Sequence, residues 1–158
     1  MVTVAVRSAD PLSISAEDLL HQLGPEKNAA YTYMESLGTG SLYAFLKAGS
    51  DFFLAYVEGH AVGCVGYRKF PFEETDVIAQ MRMLMINPEY RWRQVAAALL
   101  KEAETTAARR GYVMMRVELD LNHPEAQFFF EEHGYNRVPK YGPFVDDPMI
   151  LCLERLIV

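Results

Sequence analysis

Met83-Leu84-Met85-Ile86-Asn87-Pro88-Glu89-Tyr90-Arg91-Trp92-Arg93-Gln94-Val95-Ala96-Ala97-Ala98-Leu99-Leu100 is the stretch whose reading decides the fold. An apolar run closes a strand, a basic turn follows, and an alanine-rich run opens a helix. A strand that feeds a helix through such a turn aims several backbone N–H groups at one place. Those donors have no partner within the helix and stand at the positive end of its macrodipole, so the place suits a phosphate. Arg91 and Arg93 add full positive charge. Taken alone, the segment reads equally as an ordinary strand–helix connection with two solvated arginines.

Downstream, Val95, Leu99, Ala103 and Ala107 recur every fourth residue and mark the buried face of a helix from Arg93 to Arg110. Gly111 closes it, with two arginines at its negative end. Tyr112 to Leu119 returns as a strand, so this strand–helix–strand unit predicts a right-handed parallel crossover. Asn122 and Pro124 open a further helix that stops before Gly134. Tyr135 to Val138 and Met149 to Leu156 finish as strands.

Upstream, Asp76 to Ile86 is a methionine-rich strand reached through the acidic turn Phe72-Glu73-Glu74-Thr75. Asp51 to Tyr56 and Ala61 to Tyr67 make a hairpin around Glu58-Gly59-His60. Val2 to Arg7 is a first strand, and Ser15 caps a first helix with acids in its opening turn. A second helical stretch spans Pro25 to Leu37. Gly38-Thr39-Gly40-Ser41 follows a helix rather than a strand and lacks the lysine of a P-loop, so it reads as a helix stop. These elements predict a mixed sheet with helices on both faces.

A chain of 158 residues with 51% apolar content is one domain, 1–158, long enough to bury a core. The net charge of −6 argues against nucleic acid as a partner and favours a cationic small molecule or peptide amine. The apolar start is too short for a signal peptide, and no run is long enough to span a membrane, so the expected setting is cytoplasmic. Cys64 and Cys152 lie in apolar strand-like segments and read as buried thiols. His21, His60, His123 and His133 show no metal-ligand spacing, and there is no Gly-x-Ser-x-Gly element of a serine hydrolase.

From Met83 to Gly142 the order of motifs resembles the GNAT superfamily of acyl-CoA-dependent N-acetyltransferases. The carrying residues are Asn87-Pro88-Glu89-Tyr90, then Arg91-Trp92-Arg93-Gln94-Val95-Ala96 opening the long helix. Pro124-Glu125-Ala126-Gln127-Phe128-Phe129-Phe130-Glu131-Glu132-His133-Gly134-Tyr135 and Val138-Pro139-Lys140-Tyr141-Gly142-Pro143 follow. The resemblance implies an α/β fold with a mostly antiparallel sheet around a central parallel unit. It implies acetyl-CoA as co-substrate and direct attack on the thioester by a primary amine of a small molecule or peptide. The backbone of Leu84, Met85 and Ile86 would pair with the pantetheine arm, the N–H of Met85 or Ile86 facing the thioester oxygen. Arg91, Trp92, Arg93, Gln94, Val95, Ala96 and Ala97 would hold the pyrophosphate, and His123 and Phe130 would border the cofactor.

Several positions depart from the family's pattern. Gln94 replaces the first loop glycine, where its side chain either crowds the phosphates or donates to them. Trp92 either stacks on the adenine or lies exposed. Phe130 stands where a tyrosine commonly protonates the departing thiolate, and Gln80 where a glutamate often acts as base. His123 takes the place of an asparagine near the last helix start, and as a plain sequence feature it is a helix cap. Without a replacement base, an enzyme of this kind would prefer low-pKa amines, since a lysine-type amine is only about 0.04% free base at pH 7. Glu73, Glu74, Asp76 and Tyr67 are the candidate replacements, and Tyr141 would line the acceptor end. The alternative reading is a catalytically silent module that binds coenzyme A or a protein partner. Sheet-edge pairing at the C-terminal strands would allow a homodimer.

Overall fold

Strand alternation sorts the apolar side chains of this chain onto two faces of one sheet. The computed structural model describes residues 3–27 and 42–158, and for residues 24–27 and 91–93 it describes the backbone. Seven strands are present: β1 (Val4–Ser8), β2 (Asp51–Val57), β3 (His60–Lys69), β4 (Ile78–Ile86), β5 (Met114–Asp120), β6 (Asn136–Val138) and β7 (Ile150–Leu156). They form a single sheet in the order β1-β2-β3-β4-β5-β7-β6. Every neighbouring pair is antiparallel except β4 and β5, which are parallel. The described helices are α1 (Ile14–Lys27), α2 (Val95–Arg109) and α3 (Pro124–Glu132). The mixed, mostly antiparallel sheet with a parallel strand–helix–strand unit at its centre is therefore as expected.

Helices cover both faces. On one, Phe53, Ala55 and Val57 of β2 pack with Leu99, Ala103 and Ala107 of α2 and with Ala126 and Phe130 of α3. On the other, Phe52 and Leu54 pack with Ala16, Leu19 and Leu23 of α1. The β2–β3 hairpin turns on Glu58 and Gly59, both at positive φ (50° and 81°), and Val57 faces His60 across it. Positive φ at both central residues is the geometry that matches strand twist in a two-residue hairpin.

β4 carries a bulge. Ala79 and Met81 face α2, whereas Met83 and Met85 face α1, and Leu84 and Ile86 face α2 again. The parity changes at Met83, whose φ is 61°, and the β3–β4 register shifts between Cys64 and Gly66. One extra residue in β4 explains all three observations.

Three local expectations are corrected. The first helix starts at Ile14, and Ser13 rather than Ser15 lies at its head, its Oγ accepting from the N–H of Ala16 at 3.3 Å. That helix runs on through Pro25 to Lys27, where the sequence placed the start of a second one. The rest of the expected second helix and the Gly38–Ser41 segment lie outside the described residues. The long helix begins at Val95, not Arg93, because Pro88–Arg93 winds as a 3-10 helix. Asn87 caps that turn, accepting from the N–H of Glu89 at 3.1 Å. Cys64 and Cys152 are buried and form no disulfide, and burial pushes the Cys64 thiol up to about 12. No helix among the described residues is long and apolar enough to cross a membrane.

Candidate functional site

The central feature is a separation of strands. β4 and β5 pair only over Ile78–Gln80 against Met114–Arg116, although β4 continues to Ile86 and β5 to Asp120. Past Gln80, β4 is held by β3 alone, so among the described residues its other edge has no ladder partner. Backbone N–H and C=O groups require partners, and an open stretch within a sheet is a place for an extended ligand to supply them. Leu84, Met85 and Ile86 lie on this stretch, with side chains buried in the two cores.

β4 leads through the 3-10 helix to the head of α2. Gln94 joins them in the left-handed conformation, φ 63° and ψ 20°. The left-handed region favours glycine, which is the residue the family resemblance implies here. Gln94 is exposed and makes no side-chain cap for α2. The first-turn donors of Val95, Ala96 and Ala97 are thus left without a capping side chain, the arrangement that accepts an anion. Arg91, Trp92 and Arg93 belong to this turn by their backbone, and their side chains lie outside the described residues.

Where β4 and β5 part, a cavity of ≈ 230 Å³ opens on the face opposite α2, lined by Arg68, Gln80, Arg82, Glu118 and the Phe72 and Phe144 rings among others. Glu118 is 4% exposed, and both of its oxygens are engaged. Gln80 Nε2 donates to Oε1 at 2.8 Å and the Tyr141 hydroxyl donates to Oε2 at 2.5 Å. Arg68 Nε donates to Gln80 Oε1 at 2.8 Å, which orients that amide toward the carboxylate. Burial raises the Glu118 pKa above the usual carboxylate range, opposed by the Tyr141 and Gln80 hydrogen bonds and by Arg82 and Arg68. A buried carboxyl held this way in a cleft has the environment of a general base.

The sequence-derived candidates separate on this geometry. Gln80 and Tyr141 join the Glu118 cluster. Glu73 lies at its margin, 3.3 Å from Arg116 Nη1 and half exposed. That contact is an ion pair without hydrogen-bond alignment. Arg116 also donates Nε to Glu154 at 3.0 Å and stacks over Phe70 and Tyr141. Glu74 and Asp76 are exposed, and Asp76 pairs with Lys69 at 2.6 Å. Tyr67 is on the other face of the sheet, fully buried, with its hydroxyl donating to Asp51, which also binds Arg110. It is therefore part of the α2 core and not of the cavity. Phe130 is likewise fully buried, edge-on to Tyr135 at 5.1 Å. His123 stands at the head of α3 without making a side-chain cap, its Nδ1 3.8 Å from Glu125.

Glu118 was not among the candidates drawn from sequence. The available signal was one acid between Val117 and Leu119 in a strand that alternates apolar and charged residues. Alternation of that kind ordinarily marks a solvated face, so burial on the second face was the missing fact. A larger hollow of ≈ 430 Å³ lies between α1 and the β2–β3 turn, but its acids and histidine, Asp18, Glu89 and His60, are all exposed. No cluster of metal-ligating groups occurs among the described residues.

Residues 17–135 match the profile of the Acetyltransferase (GNAT) family. No curated protein matches the chain. Among solved structures, a GNAT-family acetyltransferase of Staphylococcus aureus superposes with a TM-score of 0.77 at 13% identity, over 99% of this chain and 100% of that one. An aminoglycoside 6′-acetyltransferase type Ii gives 0.74 at 19% identity, over 98% and 97%. The PaiA N-acetyltransferase of Thermoplasma acidophilum, solved with coenzyme A, gives 0.69 at 15% identity, over 98% and 99%.

Proposed function

This chain belongs to the GNAT acetyltransferase family, and from that premise we propose that it transfers an acetyl group from acetyl-CoA to a primary amine. The observation that carries the reading is the parting of β4 from β5 with the buried carboxylate of Glu118 beside the opening.

The chain's own features fit the co-substrate. The unpaired edge of β4 at Leu84, Met85 and Ile86 offers backbone groups to a pantetheine arm. The uncapped donors of Val95, Ala96 and Ala97, with the turn bearing Arg91 and Arg93, offer a pyrophosphate site. Gln94 is already in the glycine-like conformation, so the backbone path is kept even though a side chain is present. When bound, acetyl-CoA supplies a thioester whose carbonyl carbon the amine attacks, forming a C–N bond as the C–S bond breaks.

Glu118 then does the work that the resemblance gives to the position of Gln80. Its ionised carboxylate holds the acceptor ammonium and takes the proton that the nitrogen must lose. Gln80 and Tyr141 fix both oxygens in place, so little reorganisation accompanies the transfer. With a base present, the preference for low-pKa amines that its absence would impose is relaxed. Phe130 carries no proton to the leaving sulfur. A thiol of pKa about 8.5 departs as thiolate without much help, so this loss falls at the small end of the usual range.

The test is titration with acetyl-CoA, with desulfo-CoA and ATP as controls, read by calorimetry and by the fluorescence of Trp92, the single tryptophan. Saturable micromolar binding followed by acetylation of an amine supports the reading. Binding without turnover toward any amine replaces it with a silent coenzyme A-binding module, and no binding overturns it.

A further inference from the structure

The cavity beside Glu118 is lined by guanidinium groups as well as by a carboxylate, which the net acidity of the chain does not anticipate. Among the described residues Arg82 and Arg68 line it beside the carboxylate of Glu118, with Arg68 engaged by Gln80. Glu118 is already held by Gln80 and Tyr141. The two nearby acids, Glu73 and Glu154, are both paired with Arg116. Among the described residues Arg82 makes no hydrogen bond or ion pair, although it is only partly exposed. A guanidinium that lines a cavity and makes no hydrogen bond or ion pair there is a receptor for a planar anion. A polyamine or another multiply charged cation would meet the Arg82 guanidinium at the same opening, and like charges disfavour it.

From these contacts we infer that the acceptor is a small amino carboxylate of the α-amino-acid type with an apolar body. Its ammonium meets Glu118, its carboxylate meets Arg82 from the Arg68 side, and its body lies against Phe72 and Phe144. These two rings stand edge to face with centroids 5.8 Å apart. Pro71 and Pro143 complete the apolar wall. The size agrees, since ≈ 230 Å³ is below the range of roughly 300–1,000 Å³ that accommodates drug-sized ligands. This assignment rests on the acetyl-transfer reading and adds to it the chemistry of the acceptor.

The experiment compares L-phenylalanine, L-phenylalaninamide and 2-phenylethylamine as acceptors with acetyl-CoA. In parallel, each acceptor is titrated by calorimetry onto the protein alone. Arg82→Gln, Arg82→Lys and, as a surface control, Arg109→Gln are assayed alongside the parent. The expected result is a kcat/KM for L-phenylalanine at least tenfold above that for either uncharged-tail amine. Arg82→Gln collapses that ratio through KM, Arg82→Lys restores part of it, and Arg109→Gln leaves it as it was. Calorimetry follows the same order. Equal or better use of 2-phenylethylamine, or a ratio that survives in Arg82→Gln, overturns the assignment while acetyl transfer stands. Failure of every amine to be acetylated or bound, with acetyl-CoA binding intact, overturns both.

Discussion

At the residue scale, the chemistry turns on Glu118 and the two groups that hold it. A base works only when ionised, and burial raises the Glu118 pKa. The acid limb of kcat/KM is therefore expected at a midpoint above the ordinary glutamate value of about 4.3. Tyr141→Phe removes a donor that favours the carboxylate, so it moves that midpoint further up; a pH–rate profile of the two proteins checks the sign. Glu118→Gln retains the shape, with its amide able to accept from Gln80 and donate to Tyr141. It is expected to lower kcat by about 10²–10⁴ without weakening coenzyme A binding.

The same ionisation links to stability. Because the folded-state pKa is raised, the folded protein holds more protons than the unfolded one between the ordinary and the raised value. The contribution of Glu118 to stability thus falls as pH rises through that window, and Glu118→Gln removes the dependence. Gln94 is the second decisive residue. Gln94→Gly relieves about 1 kcal/mol of left-handed strain, but it loosens the unfolded chain by nearly as much. Stability should change little, while the Kd for coenzyme A, read by calorimetry, should fall several-fold as the phosphates gain closer approach.

At the element scale, α2 both packs the sheet and presents its N-terminus. Leu99 is fully buried on this helix, close enough to β3 that a Cβ on Gly63 would lie 3.1 Å from its side chain. Leu99→Ala should cost about 2–5 kcal/mol in urea unfolding, the usual range for a buried leucine. The far end of α2 is secured at two places. Arg110 binds Asp51 of β2, and Glu104 accepts from Tyr135 at 2.6 Å and from Arg155 at 2.8 Å. The β4 bulge belongs to this scale too. It turns Met83 out of alternation just beyond the last β4–β5 pair, so the strand changes its facing where the cleft begins.

At the scale of the whole molecule, ligand binding and folding share one equilibrium. The candidate sites draw on β3, β4, β5, the start of α2 and the β6–β7 connection, none of which forms them alone. Coenzyme A at one hundred times its Kd should therefore stabilise the protein by about 2.7 kcal/mol, visible as a rise in Tm that grows with concentration. ATP at the same concentration should do much less, because it lacks the pantetheine arm that the β4 edge would pair.

Local chemistry made much of this fold legible. The apolar run into Asn87-Pro88, the four-residue spacing of Val95 to Ala107, and the glycines at 59, 111 and 134 each act over a few residues, so their reading survived folding nearly unchanged. The strand pairing around them followed, as did the face of α2 that is buried. The limits were equally physical. Helix starts shifted by a residue or two because caps and 3-10 turns compete over small energies, as at Ser13 and Gln94. Tyr67, a candidate base by its place in the hairpin, is buried in the α2 core, and Glu118, which no motif singled out, is the enclosed carboxylate. Sequence alone determined the elements, their order and the phosphate-suited turn, since those depend on periodicity and backbone donors. Tertiary structure alone decided which charged residues meet, because Arg68, Gln80, Arg82, Glu118 and Tyr141 come from three strands and a loop. Only the separation of β4 from β5 brings them around one cavity.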